Sequence, residues 1–275
     1  MPLYNRTRRS RSIPLKLLKQ GRLLEVPIYY FARASDLGRE GIENSGSHRF
    51  ADHIYCNRPS GSGPFGRWLD ARFLSMPAVR SLRNRFLASR DELCRFLTER
   101  VGAVQRLDVV SAPCGIPREL VEGARLFRER TGGSLDGVTF HGLDLDASVL
   151  AQAAEFALAN GLPGFQTHHG DALARESYPA GADFITCTGL GEFLTDSQLE
   201  DLYRTFFEVL RPGGRMVTSG MKRVLVSDYF LKLAELRATY RTTAQLEAVA
   251  RRVPFAEIHT RLDEFRIQTI LTARK

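Results

Sequence analysis

The stretch from Arg106 to Leu145 constrains the fold more than any other part of this 275-residue chain. Leu107 to Ala112 is an apolar run of strand length. Pro113 and Gly115 break it, and Pro117 stands where proline suits the first turn of a helix. Leu120, Ala124 and Phe127 share one face of that helix, and Gly132-Gly133 ends it. A second strand, Val138 to Leu143, stops at Asp144. Strand, glycine turn, helix, strand and closing acid make a nucleoside-binding unit. The turn lets a ligand approach the backbone, and the acid accepts the ribose hydroxyls.

The turn itself narrows the nucleoside. A dinucleotide fold needs G-x-G-x-x-G, because its backbone wraps a pyrophosphate. Here the loop runs Ser111-Ala112-Pro113-Cys114-Gly115-Ile116-Pro117, with one glycine and two prolines that carry no N–H for an anion. That suits S-adenosylmethionine (SAM), which has no phosphate. On these residues the chain resembles the class I SAM-dependent methyltransferases, over about residues 100 to 275. The family's first motif, acid-x-Gly-x-Gly-x-Gly, is altered: Ser111 stands for the acid, Pro113 and Pro117 for the outer glycines, and Gly115 keeps the middle one. Its second motif is intact as Gly142-Leu143-Asp144, its third as Gly170-Asp171-Ala172, and its Pro-Gly-Gly turn as Pro212-Gly213-Gly214. The resemblance implies SAM as cofactor, with Ala112, Pro113, Gly115, Asp144, Leu145, Gly170, Asp171, Ala172 and Thr188 as the residues that bind it. Asp146, two residues past the ribose acid, reads instead as a helix N-cap.

Strands and helices alternate from there to the end. The reading is an α/β fold: a doubly wound, mostly parallel, seven-stranded sheet of the Rossmann-like methyltransferase type, closed by an antiparallel hairpin and preceded by a helical cap. Residues 1–22 form a basic, disordered tail, 23–100 a cap, and 101–275 the SAM-binding domain. Within the cap, Leu23 to Phe31 suits a short helix or strand, and residues 35–66 read as a linker or functional loop rich in Gly, Ser, Asn and Pro. Arg67 to Glu99 is helical, split in two by Pro77. Val224 to Ala238 is an amphipathic helix. Asp52-His53-Ile54-Tyr55-x-Asn57 with Gly61, and Leu262-Asp263-Glu264-Phe265 at the other end, resemble a bacterial family named as methyltransferases without a known substrate.

Seven of the 39 Lys and Arg lie in residues 1–22, which hold no acid. The remaining bases nearly balance the 31 Asp and Glu, so the high pI does not mark the body as a nucleic-acid binder. No apolar run reaches membrane-spanning length, and no apolar segment follows Arg8-Arg9 to make an export signal. Four scattered cysteines argue against zinc or a disulfide framework, and Cys114 reads as packing. The expected setting is the reducing cytoplasm, with no metal, a small-molecule acceptor, no nucleic acid, and a homodimer left open.

Methyl transfer from a sulfonium is mainly alignment and exclusion of water, with a base needed only for weakly acidic acceptors. The candidates for acceptor-side chemistry are His53, Tyr55, Tyr30 (with neighbouring Tyr29) and Glu192, which follows the fourth strand. Of His168 and His169 in the third strand, one faces inward. The reading is methyl transfer to a secondary metabolite or lipid. Two others stay open: a SAM-consuming reaction at another carbon (aminocarboxypropyl transfer, or cyclisation to azetidine-2-carboxylate), and a scaffold that kept the fold without catalysis.

Overall fold

The computed structural model describes residues 13–44, 47–224, 228 and 238–275. The chain divides into two compact units: residues 1–83 with 223–238, and residues 84–222 with 239–275. The division falls after Arg83, inside a helix, where the sequence places a boundary near residue 100.

The first unit is helical: α1 (Ile13–Lys19), α2 (Glu25–Ala32), α3 (Asp36–Glu43), α4 (His48–Cys56), α5 (Gly63–Leu74) and the start of α6 (Pro77–Arg100). Two readings of the sequence are corrected. The basic tail is helical from Ile13, because Ile13 and Leu17 are buried against Tyr29, Ala32 and Ile42. Residues 35–66 are mostly helix, not linker. Their polar residues cap and stop helices: Ser35 and Ser47 accept the N–H groups of Gly38 and Phe50, and Asn57 ends α4 in the left-handed region at φ 50°. Gly38 has no room for a side chain, since a Cβ would overlap the Ala32 carbonyl. Pro77 separates α5 from α6 as its position predicts. Most of the helix read at Val224 to Ala238 lies outside the described residues.

The second unit is the predicted α/β layer structure. Its strands are β1 (Leu107–Ser111), β2 (Val138–Asp144), β3 (Gln166–His169), β4 (Ala182–Cys187), β5 (Leu210–Met221), β6 (Glu257–Leu262) and β7 (Gln268–Arg274). They form one sheet in the order β3-β2-β1-β4-β5-β7-β6. β1 to β5 are parallel, and β7 runs antiparallel to both β5 and β6. Strand order reverses between β1 and β4, where open sheets of this kind bind ligands. Helices α7 (Arg118–Thr131), α8 (Ala147–Ala159), α9 (Asp196–Val209) and α10 (Thr243–Ala250) cover it.

Both faces of the central strands are covered, so β1 and β4 are buried at every residue rather than at alternate ones. Val109, Phe184, Val217 and Ile270 face Phe96 and Leu97 of α6 and Leu120 and Phe127 of α7. Val110, Ile185 and Met216 face Leu199, Leu202 and Phe206 of α9 and Leu246 of α10. Each fully buried side chain of this size contributes roughly 2 kcal/mol. Away from the ligand edge, Arg211 joins the Asp108 and Asp183 carboxylates at 2.7 and 2.5 Å. Asp108 also meets His141 at 3.1 Å, and His141 meets His168 at 3.0 Å. His168 is therefore the inward-facing histidine, and His169 stays exposed.

The loop after β4 is held from behind. Arg241, 4% exposed, donates to the carbonyls of Gly191 and Leu194, each at 2.7 Å, and to Asp196 at 2.8 Å. Thr195 and Gln198 form the capping box their spacing predicts, and Thr242 and Gln245 form another. Replacing Arg241 with Met leaves two carbonyls without their donor, which costs about 2–4 kcal/mol. Urea unfolding of Arg241→Met is expected to show the midpoint falling with an unchanged slope. A loss below about 1 kcal/mol would mean that water takes over the two carbonyls.

Candidate active site

The carboxyl end of β1 begins the site. The Ala112 N–H donates to the Thr186 carbonyl of β4 at 2.9 Å, and the Cys114 N–H to the Leu143 carbonyl of β2 at 2.8 Å. The loop after β1 is thus tied to both neighbouring strands. Gly142 permits this: a Cβ there would lie 2.6 Å from the Phe165 ring and 3.0 Å from the Cys114 sulfur. Cys114 is buried against Leu150 and Ala153, and burial raises its thiol well above the ordinary range, so it packs rather than reacts.

Gly115 sits in the left-handed region at φ 50°, which turns its N–H toward Asp144 Oδ2 at 3.2 Å. Asp144 Oδ1 accepts the Asp146 N–H at 3.1 Å. Asp146 is the N-cap of α8, accepting from the Ser148 N–H at 2.9 Å. Asp144 is buried at the end of β2. Leu145 beside it is 54% exposed, an apolar surface next to a carboxylate. Gly170 donates to the Asp144 carbonyl at 3.1 Å, which brings the third motif alongside the second. Asp171 is exposed and accepts the Leu173 N–H at 3.0 Å, and Ala172 is buried behind it. Thr188 is half-buried at the end of β4. Pro113 and Pro117 flank Gly115 without N–H groups, so the loop offers no cradle to a phosphate. A buried carboxylate, an exposed leucine beside it and a loop with two prolines in place of N–H donors fit an adenosyl sulfonium.

The acid missing from the first motif reappears elsewhere. Ser111 Oγ donates to Glu119 Oε1 at 2.5 Å. Glu119 lies in the first turn of α7 and is buried, which raises its carboxyl to about 7. The sequence reading missed it. Its signal is an acid beside the apolar face of α7, eight residues after the serine that replaces an acid.

Ser111 is one of several polar side chains on the sheet face covered by α6 and α7. Register places Ser111 beside Thr186; Ser219 lies two residues past Thr186's partner Val217 on β5, and Gln268 two residues before Ile270 on β7, all on the same face. Thr186 shares a hydrogen bond with Ser89 of α6 at 2.6 Å. Glu192 accepts from Arg85 at 2.9 Å and from the Gln268 amide at 3.3 Å. Ser219 Oγ and Gln268 Oε1 are buried without a hydrogen-bond partner among the described residues. The sequence reading also missed Arg85 and Gln268. Glu192 departs from its expected role as a base in the loop, because it is 5% exposed and ion-paired with Arg85.

The other acceptor-side candidates lie in the first unit. His53 Nε2 meets Asp70 Oδ2 at 2.8 Å. Asp70 is buried and accepts also from Ser35 Oγ at 2.6 Å, Leu37 N at 2.8 Å and Ser60 N at 3.1 Å. Burial opposes its ionisation, but the four donors together hold the carboxyl below its ordinary value. The hydrogen bond to Asp70 raises the pKa of His53 against the opposing effect of burial. With Nε2 turned to Asp70, Nδ1 is the nitrogen left to accept a proton. Tyr55 is half-buried on the same helix. Tyr30 is 56% exposed and packs edge-on against buried Tyr29.

A methyltransferase-domain family model matches residues 124–214, starting inside α7 just past the altered loop. No curated protein matches the chain by sequence. A possible exported protein from Bordetella parapertussis aligns over 96% of this chain and 93% of its own, with 24% identity and a TM-score of 0.76. Magnesium protoporphyrin IX methyltransferase from Synechocystis, solved with S-adenosylhomocysteine, aligns over 72% of this chain and 86% of its own (13% identity, TM-score 0.53). An O-methyltransferase family protein from Burkholderia thailandensis aligns over 75% of this chain and 62% of its own (16% identity, TM-score 0.53). Residues 124–214 match a methyltransferase domain, and the sheet and its helices have the fold of the class I SAM-dependent methyltransferases. The matched segment is a methyltransferase domain, and the Synechocystis enzyme of this fold is solved with SAM as well as with S-adenosylhomocysteine. Among the described residues no group of side chains suits a metal ion, and no helix is long and apolar enough to cross a membrane.

Glu119 makes stability depend on pH. Its folded pKa of about 7 lies above the ordinary 4.5, so folding favours the protonated form. The contribution is full below pH 4.5 and is lost as pH rises to about 7. The loss has an upper bound of about 3 kcal/mol at 1.36 kcal/mol per unit. Thermal unfolding from pH 4.5 to 8 is expected to show this decline in the parent and a flatter profile in Glu119→Gln. Parallel profiles would remove the raised carboxyl.

Proposed function

We propose that this chain methylates a small molecule, a secondary metabolite or a lipid, by direct displacement at the SAM methyl group. The observation that supports it is the Asp144 carboxylate, buried at the carboxyl end of β2, one strand from the strand-order reversal, and aligned by the Gly115 and Asp146 N–H groups. SAM supplies a methyl group on a sulfonium, an electrophile that needs no activation. Asp144 receives the ribose hydroxyls, and Leu145 covers one face of the purine. Gly115 keeps the loop backbone close enough to exclude water from the methionine end. Gly170, Asp171 and Ala172 border the adenine, and Thr188 the reacting end. The near-neutral body outside residues 1–22 speaks for a small acceptor over a nucleic acid. A reducing cytoplasmic setting suits its four free cysteines.

Asp144→Ala is expected to weaken SAM binding by about 1–3 kcal/mol, the cost of leaving ribose hydroxyls without their acceptor. Isothermal titration measures it, and an unchanged dissociation constant would remove the ribose assignment. Product analysis settles which carbon reacts. S-adenosylhomocysteine is the expected product, and methylthioadenosine would instead assign the chain to aminocarboxypropyl transfer or cyclisation.

His53 is the side chain we assign to take the proton from a hydroxyl or amine acceptor. His53 is oriented by the buried Asp70 carboxylate, whereas Glu192 is committed to Arg85. A base works unprotonated, and the pKa of His53 is raised, so kcat/KM is expected to climb with pH along a limb above 6.5. Asp70→Asn removes the main cause of the upward shift and should move that limb to lower pH. His53→Gln should abolish it. A limb that survives His53→Gln rules the assignment out.

A further inference from the structure

The large apolar side chains left exposed are concentrated in the first unit. Leu24, Ile28 and Phe31 follow a spacing of four and three residues, which places them on one face of α2. They are 86, 43 and 50% exposed. The stripe continues onto α5: the Phe31 ring meets Phe65 at 5.6 Å, and Phe65 stacks on Trp68 at 5.9 Å. Phe65 and Trp68 are 51 and 52% exposed. Buried Tyr29 and Leu69 show that both helices have a separate inward face, so the stripe is surplus to the core.

Its charge is one-sided. Arg72 lies over the Trp68 ring at 5.5 Å, and Arg67 and Lys19 are exposed nearby in the chain. No acid is exposed in residues 13–32 or 63–74: Glu25 is held by Arg22 at 2.5–2.6 Å and Asp70 is buried. The preceding sequence adds Arg6, Arg8, Arg9 and Arg11, with no acid before residue 25. Aromatic and leucine side chains beside basic ones, without exposed acids, match the interface of an anionic bilayer. The rings enter the headgroup layer there, and the bases meet lipid phosphates. We propose that the Leu24–Phe31–Phe65–Trp68 stripe seats this protein peripherally on an anionic membrane surface. The docking rests on the stripe alone and holds whatever molecule is methylated.

Trp68 is the only tryptophan in the chain, so its fluorescence reports on this face and nothing else. The full chain is titrated with vesicles of equal parts phosphatidylglycerol and phosphatidylcholine, and with phosphatidylcholine alone. The mixed vesicles are expected to shift the emission to shorter wavelength and carry the protein in flotation, and added salt should weaken both effects. The double variant Leu24→Ser with Phe31→Ser removes exposed groups only and should keep the parent's circular dichroism. It should partition at least about tenfold more weakly, given the apolar area removed. Unchanged Trp68 emission would overturn the proposal, as would an equal shift on neutral vesicles. A shift that grows with protein concentration without lipid would assign the face to a second copy instead.

Discussion

A carboxylate at the end of β2 holds the functional edge of this fold together. Asp144 takes the Gly115 N–H on one oxygen and the Asp146 N–H on the other. It thereby links the loop after β1 to the start of α8. Burying a charge is costly unless donors surround it, and these two come from backbone already fixed by the strands. The Cys114 and Ala112 amides tie the same loop to β2 and β4, and Gly142 clears the space for it. The carboxylate is therefore aligned before any ligand arrives, so little ordering is required on binding.

The altered first motif shows that the fold needs its geometry more than its residues. Two prolines stand where family members carry glycine, and the loop still meets the β2 acid through Gly115. The missing acid is replaced through space, with Ser111 reaching Glu119. A carboxyl raised to about 7 is poised between charge states near neutral pH, unlike an ordinary carboxylate in that place. The same economy governs the loop after β4. Glu192 would be an expensive buried charge by itself, and Arg85 and Gln268 neutralise and orient it while Arg241 clamps the turn that carries it. Ser219 and Gln268 keep polar atoms without partners among the described residues beside that pair. Such groups are costly to bury, and a site that supplies their partners recovers the cost.

The α/β unit was legible because its signals are local. Apolar runs of strand length, Pro117, Gly132 and the Thr195–Gln198 box each act within a few residues. Asp144 was legible for the same reason, as the acid closing a strand. The cap was not, because its helices are short and punctuated by Gly, Ser and Asn, the residues that also make loops. Ser35 and Ser47 turn out to be N-caps, and Gly38 marks a close approach to Ala32 that no sequence pattern announces. The long-range pairs were hidden altogether. His53 finds Asp70 seventeen residues on, and Arg85 finds Glu192 across 107 residues. A sequence lists the charges, but burial decides which must be paired. Glu192 therefore reads as a candidate base in the loop after the fourth strand and becomes half of a buried ion pair once β4, β7 and α6 are assembled around it.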